Sequence, residues 1–171
     1  MRDIILGQGM RNAHTQYGSV WRLLFILYIV AVAVNYLWEL AQSPLYVGME
    51  RLSVVWWHCL LASLGDGLLV LLIYGAGFVT LGRAYWFLRP GVKEYLLMLG
   101  AGLLLGIGVE WAALHFNRPP WAYTSRMPVL PALEVGITPV VQMLILPPAI
   151  FRLAGRWNSV NRKGVKLRIP N

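Results

Sequence analysis

The chain has 171 residues, of which 58% are hydrophobic and only 13% are charged, and its formal net charge is +8. An ordinary soluble domain carries about a quarter charged residues, so this composition excludes that class and predicts a single-domain integral membrane protein. The basic residues lie between apolar runs rather than along one face, which argues against nucleic acid as a partner.

Four apolar segments reach the ~20 residues that a helix needs to cross a bilayer. They cover residues 21–41, 53–80, 93–116 and 128–152. We therefore predict an all-α fold, a polytopic integral membrane protein with four transmembrane helices in an up-down bundle. This single domain takes residues 1–152, and a basic cytoplasmic tail takes residues 153–171.

The distribution of arginine and lysine predicts the direction of the helices, because the cytoplasmic loops of membrane proteins carry the excess of positive charge. Twelve basic residues lie in the N-terminal segment, the loop after the second span and the C-terminal tail: Arg2, Arg11, Arg22, Arg83, Arg89, Lys93, Arg152, Arg156, Arg162, Lys163, Lys166 and Arg168. The other two loops hold three: Arg51, Arg118 and Arg126. Both termini are therefore expected in the cytoplasm.

The first span has some features of a cleavable signal peptide. Arg11 and Arg22 precede an apolar run that includes the small-residue sequence AVA at residues 31–33. The apolar run continues to Leu37, which favours an uncleaved first helix.

Four of the seven acidic residues lie within the predicted spans: Glu39, Asp66, Glu110 and Glu134. A charge in the bilayer centre costs ~2.5–3.5 kcal/mol on insertion scales, so these residues are functional candidates. At 1.5 Å per residue, His58, Glu110 and Glu134 are expected ~8–9 Å inside the outer ends of their helices. Glu39 is expected near that end, His115 at the rim and Asp66 near the midplane. We therefore predict a polar layer in the outer half of the bundle.

Helical spacing decides which of these groups face the same way. Asn35, Glu39 and Gln42 share one face of the first helix by their i, i+4, i+7 spacing. Glu110 and His115 are turned ~140° from each other on an ideal helix. Those two side chains would reach one ligand only if the helix ended or bent between them.

Prolines and glycines mark the last two spans. Inside a helix, Pro139 would free the carbonyl of Val135 beside Glu134. Such a break either builds an ion or polar-ligand site or only kinks the helix, and both interpretations stay open.

Gly102 and Gly106 form a G-x-x-x-G motif, which favours close helix packing over a cofactor lying flat on the third helix.

The favoured function is binding, with or without chemical transformation, of a lipid or small polar ligand by the polar layer. The candidate catalytic residues are Glu39, His58, Glu110 and Glu134, because clustered carboxyls beside a histidine suit general acid–base chemistry. The candidate ligand-binding residues are Asn35, Gln42, Asp66, His115, Arg118, Trp121 and Arg126. The two arginines suit a phosphate or carboxylate, or else they neutralise Glu110 and Glu134. Whether the chain is an enzyme stays open.

Four alternatives compete with this function. The polar layer is alternatively a hydrogen-bond network that holds four helices in register. A divalent metal would suit Glu and His ligands on facing helices, although no H-E-x-x-H motif is present. A haem would need His58 and His115 as a pair, with carboxylates as unusual neighbours. The chain is alternatively a non-catalytic subunit of a larger membrane complex, with membrane lipids and other subunits as partners.

The only cysteine, Cys59, lies in an apolar run. A single cysteine excludes an internal disulfide, a Cys-based zinc motif and a c-type haem motif. It is therefore interpreted as a small core residue.

Three motifs resemble those of a group of small bacterial inner-membrane proteins: NYLWELAQSPLY, WWHCLLASLGDGLL and GVEWAALHFNRPPWAYTSRMP. The resemblance covers about residues 35–148. It implies a four-helix fold in the bacterial inner (plasma) membrane, with these motifs as signature positions. It implies no activity.

Overall fold

The structure is a computed structural model that describes residues 2–116 and 121–166, with side chains at 20–116 and 121–157. It is all-helical, with 78% helix. The helices are α1 (Arg2–Gln42), α2 (Leu52–Leu81), α3 (Val92–Phe116) and α4 (Ile137–Lys166). Segments long and apolar enough to cross a membrane are Val20–Leu45, Leu52–Leu81, Val92–Phe116 and Ile137–Trp157. The predicted all-α class with four such helices is confirmed.

The predicted start of the fourth helix, at residue 128, is wrong. Val129–Leu130 (β1) pairs antiparallel with Val135–Gly136 (β2), and α4 begins only at Ile137. Pro128 and Pro131 lack backbone donors, and a chain preceding proline is biased away from the helical conformation. The amide of Ile137 donates to the Pro128 carbonyl at 2.8 Å, which closes the small hairpin.

The outer bounds of the first and last helices also differ from the prediction. α1 begins at Arg2 rather than at residue 21, although its apolar span begins at Val20. α4 continues to Lys166, so the predicted basic tail is helical over 153–166. Residues 167–171 lie outside the described part of the chain.

The apolar core occupies the half of the bundle that adjoins the 82–91 loop. Its largest fully buried members come from all four helices and from the loop: Leu23, Leu27, Ile73, Met98, Ile150, Phe151 and Trp86. Trp86 lies directly against Gly77 of α2, where an added Cβ would come within 2.2 Å of the indole. The Trp86 Nε1 donates to the Tyr74 carbonyl at 3.2 Å, which fixes the loop under the helices.

Close packing of α3 on α4 follows from the two glycines of the G-x-x-x-G motif. An added Cβ at Gly102 would lie 2.1 Å from the Met143 carbonyl oxygen, and one at Gly106 would lie 3.1 Å from the Met143 Cβ. Met143 is four residues before Pro147, which lies inside α4 and has no N–H to donate to the Met143 carbonyl. The freed Met143 carbonyl is therefore directed at α3, and only glycine leaves room for it. The predicted close helix packing at this motif is confirmed.

The opposite end of the bundle is covered by two connecting segments that pair with each other. The Val47 amide donates to the Ala122 carbonyl at 2.9 Å, and the Thr124 amide donates to the Leu45 carbonyl at 2.9 Å. Tyr46 and Tyr123 form an antiparallel bridge between them. We call residues 45–47 and 122–124 the cap.

Candidate functional site

A cavity of about 190 Å³ lies beneath the cap. It lies between the end of α1, the first half of α2, the end of α3 and the beginning of α4. Its lining residues are Glu39, Gln42, Tyr46, Leu61, Ala62, Gly65, Asp66, Gly106, Glu110, Trp121, Pro139, Gln142 and Met143. The volume exceeds the ~150 Å³ cavity that accommodates benzene in a protein core, but is below the ~300 Å³ typical of drug-sized ligands. It suits a small molecule or one polar group of a larger one.

Gln142 of α4 is the centre of the polar network at this cavity. Its Nε2 lies 2.9 Å from Asn35 Oδ1, 3.0 Å from Glu39 Oε1 and 2.8 Å from Asp66 Oδ2. The Nε2 of Gln42 donates to the Gln142 Oε1 at 3.1 Å. Because a primary amide has only two N–H bonds, the three acceptors around Gln142 outnumber its donors.

Glu39 and Asp66 lie against each other across the α1–α2 contact. Both approach the same Gln142 nitrogen, Glu39 Oε1 at 3.0 Å and Asp66 Oδ2 at 2.8 Å. Two carboxyl groups held at one nitrogen disfavour the ionisation of each other. Glu39 and Asp66 therefore form a closely placed carboxyl pair, an arrangement that acid–base sites use.

Glu110 of α3 has different partners. Its Oε1 accepts from the hydroxyl of Tyr123 at 2.6 Å and from the hydroxyl of Tyr46 at 3.1 Å. The Tyr123 hydroxyl also accepts from the Gly136 amide at 2.9 Å. Two phenolic donors on one oxygen favour the ionised form of a carboxyl group, whereas Glu39 and Asp66 face amide donors and each other.

The two cap tyrosines stay protonated in this arrangement. Burial, and then the charge of Glu110, raise the pKa of Tyr46. Burial, and then the hydrogen bond to Glu110, raise the pKa of Tyr123. Their hydroxyls therefore remain donors to Glu110 throughout the neutral pH range.

The cavity is acidic and aromatic. Three carboxyl groups line it, and no lysine, arginine or histidine does so among the described residues. Tyr46 and Trp121 meet edge to face at its loop end, with ring centroids 5.9 Å apart. Carboxylates accept hydrogen bonds and aromatic faces attract cations, so the lining suits a group that carries N–H or O–H donors.

The structure brings together Glu39, Asp66, Glu110, Asn35 and Gln42, which sequence analysis assigned to the polar layer. Trp121 also lines the cavity. Asn35 is fully buried behind Gln142 and reaches the site only through that amide.

The two histidines that were predicted as site residues lie outside the cavity. His58 is exposed, and its Nδ1 lies 2.9 Å from the Val54 carbonyl of its own helix. His115 is likewise exposed, with Nδ1 at 2.8 Å from the Trp111 carbonyl and its ring stacked on Trp111. Neither side chain lines the cavity.

Glu134 was expected about six residues inside the fourth helix, and that expectation is wrong. It lies exposed in the hairpin turn with φ at 55°, because α4 begins after it. Pro139 accordingly falls in the first turn of α4, where a missing N–H leaves no carbonyl unpaired inside the helix. The proposed broken-helix site at Val135 is therefore not formed.

The arginine predictions have separate outcomes. Arg126 is exposed and is not part of the cavity lining. Arg118 lies outside the described residues. Within the described part of the chain, no group of three or more His, Cys, Asp or Glu side chains is arranged to hold a metal ion.

Sequence analysis missed Gln142 and the role of the two tyrosines. Gln142 interrupts the apolar run PVVQMLIL, and a lone amide in such a run was a usable signal because buried amides need partners. Asn35 and Gln42 were given weight because they share a helix face with Glu39, and Gln142 has no acidic residue at such a spacing on its own helix. The contacts of Tyr46 and Tyr123 with Glu110 depend on how two loops fold back, which no local pattern specifies.

Comparison of the chain with family models, with curated proteins and with solved structures found no match. The resemblance of the three motifs to bacterial inner-membrane proteins therefore stays a prediction.

Proposed function

We propose that this is a multi-pass protein of the bacterial inner membrane that binds a donor-bearing polar group in the cavity beneath the cap. The polar group belongs to a lipid or to a small polar molecule, and it carries hydroxyl or ammonium hydrogens. The twelve-to-three distribution of basic residues supports cytoplasmic termini. With that orientation, the cavity lies in the outer half of the membrane.

The observation that carries the proposal is the excess of hydrogen-bond acceptors at a cavity. Glu39, Asp66 and Glu110 line one space, and the two glutamine amides supply most of the N–H donors to the first pair. A ligand that brings two or three O–H or N–H donors would balance this excess. A phosphate or carboxylate would meet three acidic side chains and is disfavoured.

A purely structural network is the main competing explanation. Such a network would hold the helices together best if it were packed without voids, because empty space removes contacts from every lining atom. Here the carboxyl groups face about 190 Å³ of space. The cavity favours ligand binding over a structural role alone.

The unlike bonding of the carboxyl groups also supports a catalytic extension of this function. In this extension the Glu39–Asp66 pair supplies a proton, and Glu110, which accepts from two tyrosine hydroxyls, supplies the proton acceptor. Acid–base transformation of the bound group is the corresponding enzymatic proposal. His58 and Glu134 have no part in it.

Native mass spectrometry of the protein, released gently from its own membrane, tests the binding function. We expect a persistent added mass on the unmodified protein and a loss of about tenfold in its occupancy in the Glu39→Gln/Asp66→Asn double variant, equivalent to about 1.4 kcal/mol. Glu50→Gln is the matched control, since Glu50 is an exposed carboxylate in a loop.

Two results would contradict the proposal. A bare unmodified protein would argue that no ligand is held, and full occupancy in the double variant would show that the carboxyl pair is not the site. A chain recovered only within a larger assembly would favour the accessory-subunit alternative.

A further inference from the structure

The wall of the cavity is incomplete on the side of α2. Leu61 lines the cavity and is nevertheless 50% exposed. Gly65 also lines it and is exposed, and nothing lies within 4 Å of the position that a Cβ would take there. Leu61 and Gly65 are four residues apart and share one helix face. We call this opening the α2 window.

The loop end of the same cavity is covered by the cap and by Trp121, a lining residue that is 42% exposed. The cap segments are joined by two backbone hydrogen bonds at 2.9 Å. Below them, the hydroxyls of Tyr46 and Tyr123 are both bonded to Glu110. A ligand that passed between the cap segments would have to break these contacts, whereas the α2 window is bordered by the Leu61 side chain and by Gly65, which has no side chain.

The α2 window lies at the depth of the hydrocarbon. Leu61 is about 14 Å and Gly65 about 20 Å along α2 from its first residue, at 1.5 Å per residue. The hydrocarbon core of a bilayer is ~30 Å thick. Beyond the window, Leu68 and Leu72 continue the same exposed apolar face, at 57% and 59% exposure.

We propose that the cavity is loaded sideways from the bilayer through the α2 window, and that its ligand is a membrane lipid with a hydroxyl- or ammonium-bearing headgroup. The headgroup donates to Glu39, Asp66 and Glu110, and the acyl chains leave past Leu61 and Gly65 along α2. This inference rests on the proposed binding function and assigns the ligand class to it.

Photo-crosslinking with a defined probe tests this route. The protein is reconstituted in vesicles of phosphatidylethanolamine and phosphatidylglycerol that contain phosphatidylethanolamine with a diazirine close to its headgroup. We expect labelling of Ala62 and Gly106, which line the cavity. Gly65→Leu should lower this labelling about tenfold by filling the window, which corresponds to about 1.4 kcal/mol.

Gly75→Leu is the matched control. Gly75 lies on the same helix, has open space at its Cβ position and does not line the cavity. It should leave the labelling of Ala62 and Gly106 unchanged. Leu61→Ala supplies an independent variant that enlarges the window, and it should increase the labelling.

A water-soluble diazirine amine without acyl chains separates the two proposals. If it labels the cavity residues equally in the unmodified protein and in Gly65→Leu, while the lipid probe labels neither, access is from the loop side and the sideways route is overturned, although donor binding stands. If neither probe labels the cavity, both proposals fail. Equal lipid labelling in Gly65→Leu and the unmodified protein would also overturn the window.

Discussion

Gln142 is the single side chain on which the polar network depends. Replacing it by leucine removes the donor shared by Asn35, Glu39 and Asp66. A buried acceptor that loses its partner costs about 1–3 kcal/mol, but single hydrogen bonds within a membrane contribute nearer 0.6 kcal/mol on average. Because Gln142→Leu removes a donor from three acceptors, we expect it to lower the free energy of unfolding by about 1–3 kcal/mol. Unfolding by SDS in mixed micelles measures this change.

The control for that substitution is Ile145→Leu, which changes an exposed residue of the same helix and should leave stability unchanged. A double-mutant cycle with Asp66→Leu then isolates the contact, with an expected coupling above about 0.5 kcal/mol. Additive effects of the two substitutions would show that the Gln142–Asp66 hydrogen bond contributes nothing to stability.

The cap tyrosines make a prediction for alkaline pH. An unfolded tyrosine has a pKa of about 10, and the pKa values of Tyr46 and Tyr123 are raised in the folded protein. The folded state therefore keeps protons that the unfolded state releases. The stabilisation is fully present below about pH 10 and is lost as the pH rises toward the folded values.

Stability against SDS, measured from about pH 8 to about pH 11, should fall more steeply in the unmodified protein than in a Tyr46→Phe/Tyr123→Phe variant. Lysines titrate in the same range but are common to both proteins, so the difference belongs to the tyrosines. Parallel pH profiles would mean that these two hydroxyls ionise alike in both states.

Residue positions were predictable within one helix and unpredictable between helices. The common face of Asn35, Glu39 and Gln42 follows from helical spacing alone, and these residues do share one network. His58 has a suitable depth, yet its face points away from the cavity. The rotation of α2 about its own axis is set by packing, such as Gly67 against Tyr28, which composition and depth do not reveal.

At the scale of elements, the α3–α4 contact gives a prediction with a close internal control. Gly102→Ala would place a Cβ 2.1 Å from a backbone carbonyl oxygen of α4. A backbone atom within a helix cannot shift away as easily as the end of a flexible side chain. Overpacking of this kind costs about 1–3 kcal/mol or more. Gly100→Ala and Gly108→Ala enter open space on the same helix and should be neutral or stabilising by up to about 1 kcal/mol.

The same SDS assay ranks these three alanine variants. If Gly102→Ala is no worse than Gly100→Ala, the two helices are less closely packed than the glycine contacts require. Loss of the cavity network in Gly102→Ala would be a further consequence, since Gln142 is adjacent to the Met143 carbonyl that the substitution displaces.

The ends of helices were predicted correctly where the composition changes sharply, and the prediction was wrong where prolines are dense. The ends of α2 and α3 fall within one residue of the expected 53–80 and 93–116. α4 begins at Ile137, nine residues after the predicted start at residue 128. An apolar sequence with two prolines is hydrophobic enough to be predicted as a membrane span, although it folds as a hairpin. That shift removed Glu134 from the candidate site.

The molecule as a whole is divided into an apolar half and a polar half. Trp86, Phe87 and Phe151 pack the end that adjoins the 82–91 loop, while the cavity and the cap occupy the other end. The positive charges predict that the apolar end faces the cytoplasm. Membrane orientation therefore decides from which leaflet a lipid would reach the α2 window.

Topology reporters test this orientation directly. Alkaline phosphatase, which folds only outside the cytoplasm, should be active when fused after Met49 or Ser125, in the loops at the cap end. Green fluorescent protein should fluoresce when fused after Gly82 or at the C-terminus, because the flanking segments carry most of the basic residues. The opposite pattern would place the cavity in the cytoplasmic half, and lipids of the inner leaflet would then be the ones that reach Glu39 and Asp66.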